Sequence, residues 1–199
     1  MAESVLLHFA FDPGSRCARL ALGEAKIAVR ETPVKPWEDD CPLHGLNPSG
    51  MPPVLKVGDL VLCEIAAILG WVDDQTEGKL LFTRDEAERA ETRRLTSWFE
   101  RKFTDEVRAG REALKGHLVE LEALAQGRDW LAGRRLGQAD LVAAAHLSVL
   151  DYFGEIAWAT WPALKDWYVR MKCRPCFRPL LADRLPGQPP VAHYDDLDF

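Results

Sequence analysis

No stretch of this chain is long and apolar enough to read as a membrane span. The longest charge-free apolar run, Leu141 to Leu150, falls well short of the roughly 20 residues a bilayer-crossing helix needs. The start of the chain has no basic region followed by an apolar core, so it does not read as a secretory leader, and a cytoplasmic location is expected. Positive charge is also in short supply. Lys and Arg number 25 against 31 Asp and Glu, a net charge of -6, and no basic face is clustered, which excludes a dedicated nucleic-acid binder. Cysteine is scarce: five residues, an odd number without framework spacing, exclude a disulfide scaffold and fit a reducing compartment. Cys173-Arg174-Pro175-Cys176 has redox spacing but follows a helical segment, Trp167 to Lys172, rather than a strand. No second pair of Cys or His lies beside it to complete a four-ligand zinc site, so it reads as reduced thiols at a helix corner and no metal is expected.

What the chain does have is 47% hydrophobic residues over 199, enough for a sizeable core. Its composition changes near residue 75. Before that point the pattern predicts a strand at Val5 to Phe9, a helix at Pro13 to Ala25 and a strand at Ala28 to Thr32. A loop, a hairpin of Val54 to Val57 and Leu60 to Leu62, and a helix from Glu64 to Val72 follow. Beyond it nearly everything has helical period: Arg84 to about Val107, Arg108 to Gln126, Gln138 to Tyr152, and Pro162 to Lys172. The expected architecture is an α/β thioredoxin-like domain (1–74), a linker (75–83), an all-helical domain (84–186) and an extended acidic-aromatic tail (187–199).

The richest local signal is Gly50-Met51-Pro52-Pro53-Val54-Leu55, then a Gly58-Asp59 turn, then Leu62-Cys63-Glu64-Ile65 opening a helix. Pro53 is expected to be cis, because an X-Pro bond has lost most of the usual trans preference. This pattern resembles the glutathione-binding half of the glutathione transferases. That family reads glycine, two variable positions, cis-proline, strand, turn, strand, then Glu-Ser at a helix start. Asp12, Ser15, Pro52, Pro53, Glu64 and Ile65 would thus form the glutathione site. Ile65 stands where the resemblance calls for serine, and losing a hydrogen bond to a charged group costs roughly 1.5 to 3 kcal/mol, on the order of 10-fold to 100-fold in affinity. The resemblance also calls for a tyrosine, serine or cysteine near the end of the first strand. Asp12 occupies that place, and a carboxylate about 4 Å from a thiolate would oppose it by roughly 4 kcal/mol at an effective dielectric near 20. Asp12-Pro13 reads instead as an N-cap followed by proline at the first helical position. Ser15 and Cys17 are the fallback catalytic side chains of the alternative reading, a glutathione-dependent transferase or thiol reductase. The expectation is no cofactor, with glutathione binding weak or absent.

The helical half adds Trp130-Leu131-Ala132-Gly133 and Leu136-Gly137-Gln138-Ala139-Asp140, which resemble the same family's capping signature for a buried helix. Asp140 would reach back to free backbone donors. His146, on an apolar helix with no carboxylate one turn away, reads as a core histidine. Further stretches, at 98–107, 143–152, 167–175 and 189–199, resemble a narrower group: the transferase-like bacterial cell-division proteins that bind the tubulin-like FtsZ. That resemblance implies a homodimer that binds FtsZ filaments, affects their curvature and promotes constriction at the division site without transferase chemistry. The segment after Val107 is short for that group.

The tail fits such a role. Pro186-Gly187-Gln188-Pro189-Pro190 cannot extend a helix, and Tyr194, Leu197 and Phe199 alternate with Asp195, Asp196 and Asp198. Apolar anchors with selective charge suit a partner surface, while a frayed end or a strap on the protein's own body are the alternatives. Deleting Tyr194 to Phe199 is expected to leave the fold intact. Trp37, in a polar loop, is a second candidate contact or else packs on its own domain.

Overall fold

The structure is a computed structural model that describes residues 4–76, 80–108 and 110–197. Four strands, β1 (Ser4–His8), β2 (Arg30–Pro33), β3 (Val54–Val57) and β4 (Leu60–Cys63), form one mixed sheet in the order β2-β1-β3-β4. β1 and β2 are parallel, bridged by the crossover helix α1 (Pro13–Glu24). The other pairings are antiparallel, with the hairpin turning at Gly58 (φ 58°), a backbone conformation that glycine adopts freely. The Pro52-Pro53 bond is cis, as expected, and delivers the chain into β3. Helix α2 (Ile65–Asp74) follows β4, completing the thioredoxin-like half.

The helical half comprises α3 (Glu86–Trp98), α4 (Thr104–Val107), α5 (Arg111–Gly127), α6 (Gln138–Tyr152), α7 (Pro162–Lys172) and the short α8 (Arg178–Leu181). The single helix expected from Arg84 to Val107 is divided by a π-helical stretch, Phe99–Phe103. Thr104 Oγ1 donates to the Phe99 carbonyl there at 2.7 Å. Aromatic rings pack along this stretch: Phe99 and Phe103, both buried, lie tilted against each other with centroids 4.8 Å apart and meet the His146 ring at 5.4 and 5.6 Å. α5 starts at Arg111 rather than Arg108 because Gly110 takes φ 133°, which no helix accommodates.

Helix α6 is buried almost all round, as its lack of a polar face dictates, and α1 of the first half packs directly on it. Asp140 secures its start as the capping reading anticipates, accepting from the amides of Leu131 (2.9 Å) and Gly137 (3.0 Å) and from Trp167 Nε1 (2.9 Å). One hydrophobic core therefore runs from Leu6, Leu20 and Leu55 through Phe99 and Leu147 to Trp167 and Tyr168. The two halves are also clamped by an ion pair in which Arg174 Nε donates to Glu24 at 2.9 Å.

Residues 187–197 do not form an extended tail. They run as turns over the body, and Tyr194 is wholly buried.

Candidate functional site

Two features sit where β1 hands over to α1. The first is a cleft of about 450 Å³ between the halves. Asp12, Pro13 and Gly14 form its floor, Pro52, Pro53 and the start of α2 one wall, and Glu100, Phe103, Val107 and Arg108 the other. His146, Val149 and Leu150 of α6 close the back. A larger hollow of about 560 Å³ lies outside the α3 and α5 pair, around Trp98 and His117, and shares none of these residues.

Of the residues expected from the sequence, the cleft gathers Asp12, Pro52, Pro53, Glu64 and Ile65, but not Ser15. Asp12 caps α1: its carboxylate accepts from the Ser15 amide at 2.6 Å. Burial raises its pKa, opposed by the Ser15 bonds and the Arg108 charge. Ser15 itself is fully buried, its hydroxyl accepting from the Phe9 amide at 3.2 Å, and so holds the β1 to α1 turn rather than facing the cleft. Cys17 is likewise in the core, where desolvation, then the charges of Glu100 and Asp12, push its thiol well above the ordinary value. Neither fallback catalytic side chain is placed to meet a substrate. Glu64 lies just before α2 at φ 67°, a conformation uncommon outside glycine. Its carboxylate accepts from Ser49 Oγ at 3.3 Å. Ile65 turns an apolar side chain into the same corner. His146 is kept neutral by burial, its pKa lowered to about 3.

Glu100 was not legible as a site residue. Its Oε1 is buried without a hydrogen-bond partner among the described residues, and desolvation, then the Glu64 charge, raises its pKa. The only hint in the sequence is a glutamate between two core phenylalanines, a spacing that an ordinary amphipathic helix also produces.

The second feature is a row of aromatic rings. Trp37, 64% exposed, stands edge-on to Phe9 with ring centroids 5.2 Å apart. Contact then passes from Phe9 to Phe11, Tyr152 and Tyr194. The strap is anchored at the far end. Arg16, wholly buried, donates from Nη1 to the Tyr194 hydroxyl (3.0 Å) and to Ser148 (2.9 Å), and Tyr194 in turn donates to the Leu180 carbonyl at 3.1 Å. Lys172, also buried, donates to the Asp196 carbonyl at 2.7 Å and stands 3.9 Å from the buried Asp151 carboxylate. The expectation that residues 194–199 could be deleted without harm is therefore corrected: Tyr194 is part of the core. Leu197 is half-buried, whereas Asp195 and Asp196 remain exposed, and Asp198 and Phe199 lie outside the described residues.

The glutathione S-transferase N-terminal domain family matches residues 13–75, and the corresponding C-terminal domain family matches residues 99–175. The chain belongs to the glutathione S-transferase family. Within it, FtsZ-localized protein A of Caulobacter vibrioides (strain NA1000 / CB15N) is 50% identical over 225 aligned residues, covering 99% of this chain and 99% of that protein. That alignment is longer than the 199 residues here, so the relative carries residues with no counterpart in this transferase-fold chain. Among solved structures, FzlA from C. crescentus superposes at a TM-score of 0.92 with 50% identity over 100% of both chains. A glutathione S-transferase from Sinorhizobium meliloti 1021 superposes at 0.93 with 36% identity, again over 100% of both. In this chain the cis-proline, hairpin and capped α6 that the resemblance called for are present, while Ile65 stands at the start of α2 where it called for serine.

Proposed function

We propose that this protein is a non-catalytic cell-division factor that binds FtsZ filaments, acts as a homodimer in the cytoplasm at the division site, and promotes constriction. The observation that carries the reading is the 50% identity to FtsZ-localized protein A across 99% of both chains. The site chemistry supports it: Ser15 and Cys17 are buried, Asp12 is engaged in capping, and Ile65 supplies no hydroxyl. Glutathione accordingly binds weakly or not at all. The filament-facing surface runs from Trp37 towards Asp195 and Asp196, an exposed indole supplying the anchor and exposed carboxylates the selectivity for a basic partner face. The homodimer is supported by Leu60 (46% exposed) and Val61 (38%) on the sheet's edge strand, apolar surface of the sort a partner copy covers. Two copies of a weak contact on one particle become avid on a polymer.

The test is co-sedimentation with polymerised FtsZ. Point variants replace tail truncation, because truncation removes a core residue along with the surface charge. Trp37→Ala is expected to weaken binding by about 30-fold, the loss of one anchor worth roughly 2 kcal/mol. Asp196→Lys is expected to weaken it further as salt is lowered. If the wild-type chain stays in the supernatant, or both variants pellet like wild type, the reading fails.

A further inference from the structure

The acidic end of the strap is not bare carboxylate: one of its two exposed aspartates already has a cation. After α8 the chain doubles back at Gly187 (φ 78°), where Leu185 bridges to Gln188, and the returning strap brings Asp195 alongside Arg184. Arg184 Nη2 donates to Asp195 Oδ2 at 2.5 Å, while its Nη1 donates to the carbonyls of Leu181 at 2.6 Å and Asp183 at 2.8 Å. Both partners are rooted one residue away. The Leu185 amide donates to the Tyr152 hydroxyl at 2.9 Å, and Tyr194 is locked into the core against Arg16. The guanidinium is therefore fixed beside Asp195 before any partner arrives, and little side-chain freedom remains to oppose the pair. Three acidic side chains around the strap stand against basic groups of the same chain: Asp151 against Lys172 and His193, Asp183 against Arg19, and Asp195 against Arg184. Asp151 is buried and Asp183 nearly so, whereas the side chains of Arg184 and Asp195 are 48% and 53% exposed. Of the three, this is the pair that another molecule can enter. Exposed pairs are weak enough to exchange, worth about 1.5- to 5-fold in an equilibrium.

We infer that Arg184 is a specificity-determining residue of the filament-binding face: in the free protein its guanidinium occupies Asp195, and a lysine or arginine of the filament engages that carboxylate by taking its place. This rests on the filament-binding reading, in which the acidic end of the strap meets a basic partner surface. A partner cation then gains only the difference between its own contact and the one it displaces. A basic surface that cannot match the fit of a fixed guanidinium on a carboxylate gains nothing at Asp195, and is discriminated against. The Lys172 bond to the Asp196 carbonyl at 2.7 Å keeps the turn in place while Asp195 changes partner.

The experiment measures co-sedimentation of the full-length chain with polymerised FtsZ over a range of concentrations, for wild type, Arg184→Gln, Asp195→Asn and the double variant. Glutamine keeps a side-chain N–H for the Leu181 and Asp183 carbonyls and removes the charge. Arg184→Gln is expected to bind about 3-fold more tightly than wild type in about 50 mM salt, with the gain shrinking in about 300 mM salt. Combined with Asp195→Asn, the same substitution is expected to give less than half that gain, because the carboxylate it would free is no longer there. The urea midpoint of Arg184→Gln is expected to match that of wild type, as for an exposed pair. A wild-type chain that stays in the supernatant removes the filament-binding reading and this inference with it. Where wild type pellets, an Arg184→Gln variant that binds no more tightly overturns the inference alone. So does an equal gain with and without Asp195→Asn, which would make Arg184 a contributor to overall charge. A lowered urea midpoint together with weakened binding overturns it too, because Arg184 would then be a clasp for the strap.

Discussion

Replacing Tyr194 tests whether the C-terminal segment is a structural strap. The side chain has no exposed surface, packs against Tyr152 at 5.1 Å, and bridges Arg16 to the Leu180 carbonyl through its hydroxyl. Tyr194→Phe keeps the ring but removes an acceptor from a buried guanidinium and a donor from a buried carbonyl. Hydrogen bonds to charged groups set that loss at about 1.5 to 3 kcal/mol. Tyr194→Ala removes the ring as well, and large aromatic truncations in a core cost about 3 to 5 kcal/mol before the stranded Arg16 is counted. At roughly 2 to 4 °C per kcal/mol for a protein of this size, the phenylalanine variant should melt about 6 °C lower and the alanine variant more than 10 °C lower. The two are to be compared by urea titration and thermal circular dichroism, with Asp195→Asn as a surface control expected to stay within about 0.5 kcal/mol of wild type. An alanine variant with an unchanged urea midpoint would refute the reasoning, because a side chain that can be removed at no cost does not bear on the core. The graded order, alanine worse than phenylalanine and phenylalanine worse than the control, separates a packed strap from a segment that merely lies on the surface.

Acid sensitivity should report His146. Its folded pKa, near 3 against an ordinary 6.5, means that the unfolded chain takes up a proton in that window and the folded chain does not. Its stabilising contribution is therefore complete above pH 6.5 and is lost as pH falls, amounting to about 3 kcal/mol at pH 4. His8, lowered to about 4, acts in the same direction. Asp140, raised to about 6, acts in the opposite one, adding stability as pH falls from 6 towards 4. His146→Phe should flatten the fall in stability between pH 6.5 and pH 4, and an unaltered pH profile would count against burial of a neutral ring. Light scattering at micromolar concentration should give twice the chain mass, and Leu60→Asp on the edge strand should halve it. A monomeric wild-type chain would remove the dimer from the proposal.

The sequence by itself determined whatever is settled within a few residues. Asp12 and Pro13 announce a capped helix and α1 begins there; Asp140 announces the start of α6; Gly58-Asp59 announces the hairpin; and α6 and α7 fall at the limits their periodicity gives. Each of these is a local balance between side chains and nearby backbone groups, so the chain carries it wherever it folds. Tertiary structure alone decided which groups meet water. Tyr194 looks like a solvent-facing anchor among aspartates, yet its hydroxyl meets Arg16 across a sequence separation of 178 residues. Ser15 and Cys17 look like available nucleophiles until α6 is laid over α1. Glu100 looks like a solvated helix residue until the phenylalanines either side of it pack into the core and set it in the cleft wall. Burial arises from segments far apart in the chain closing on one another, and no local pattern of residues records which ones will do so.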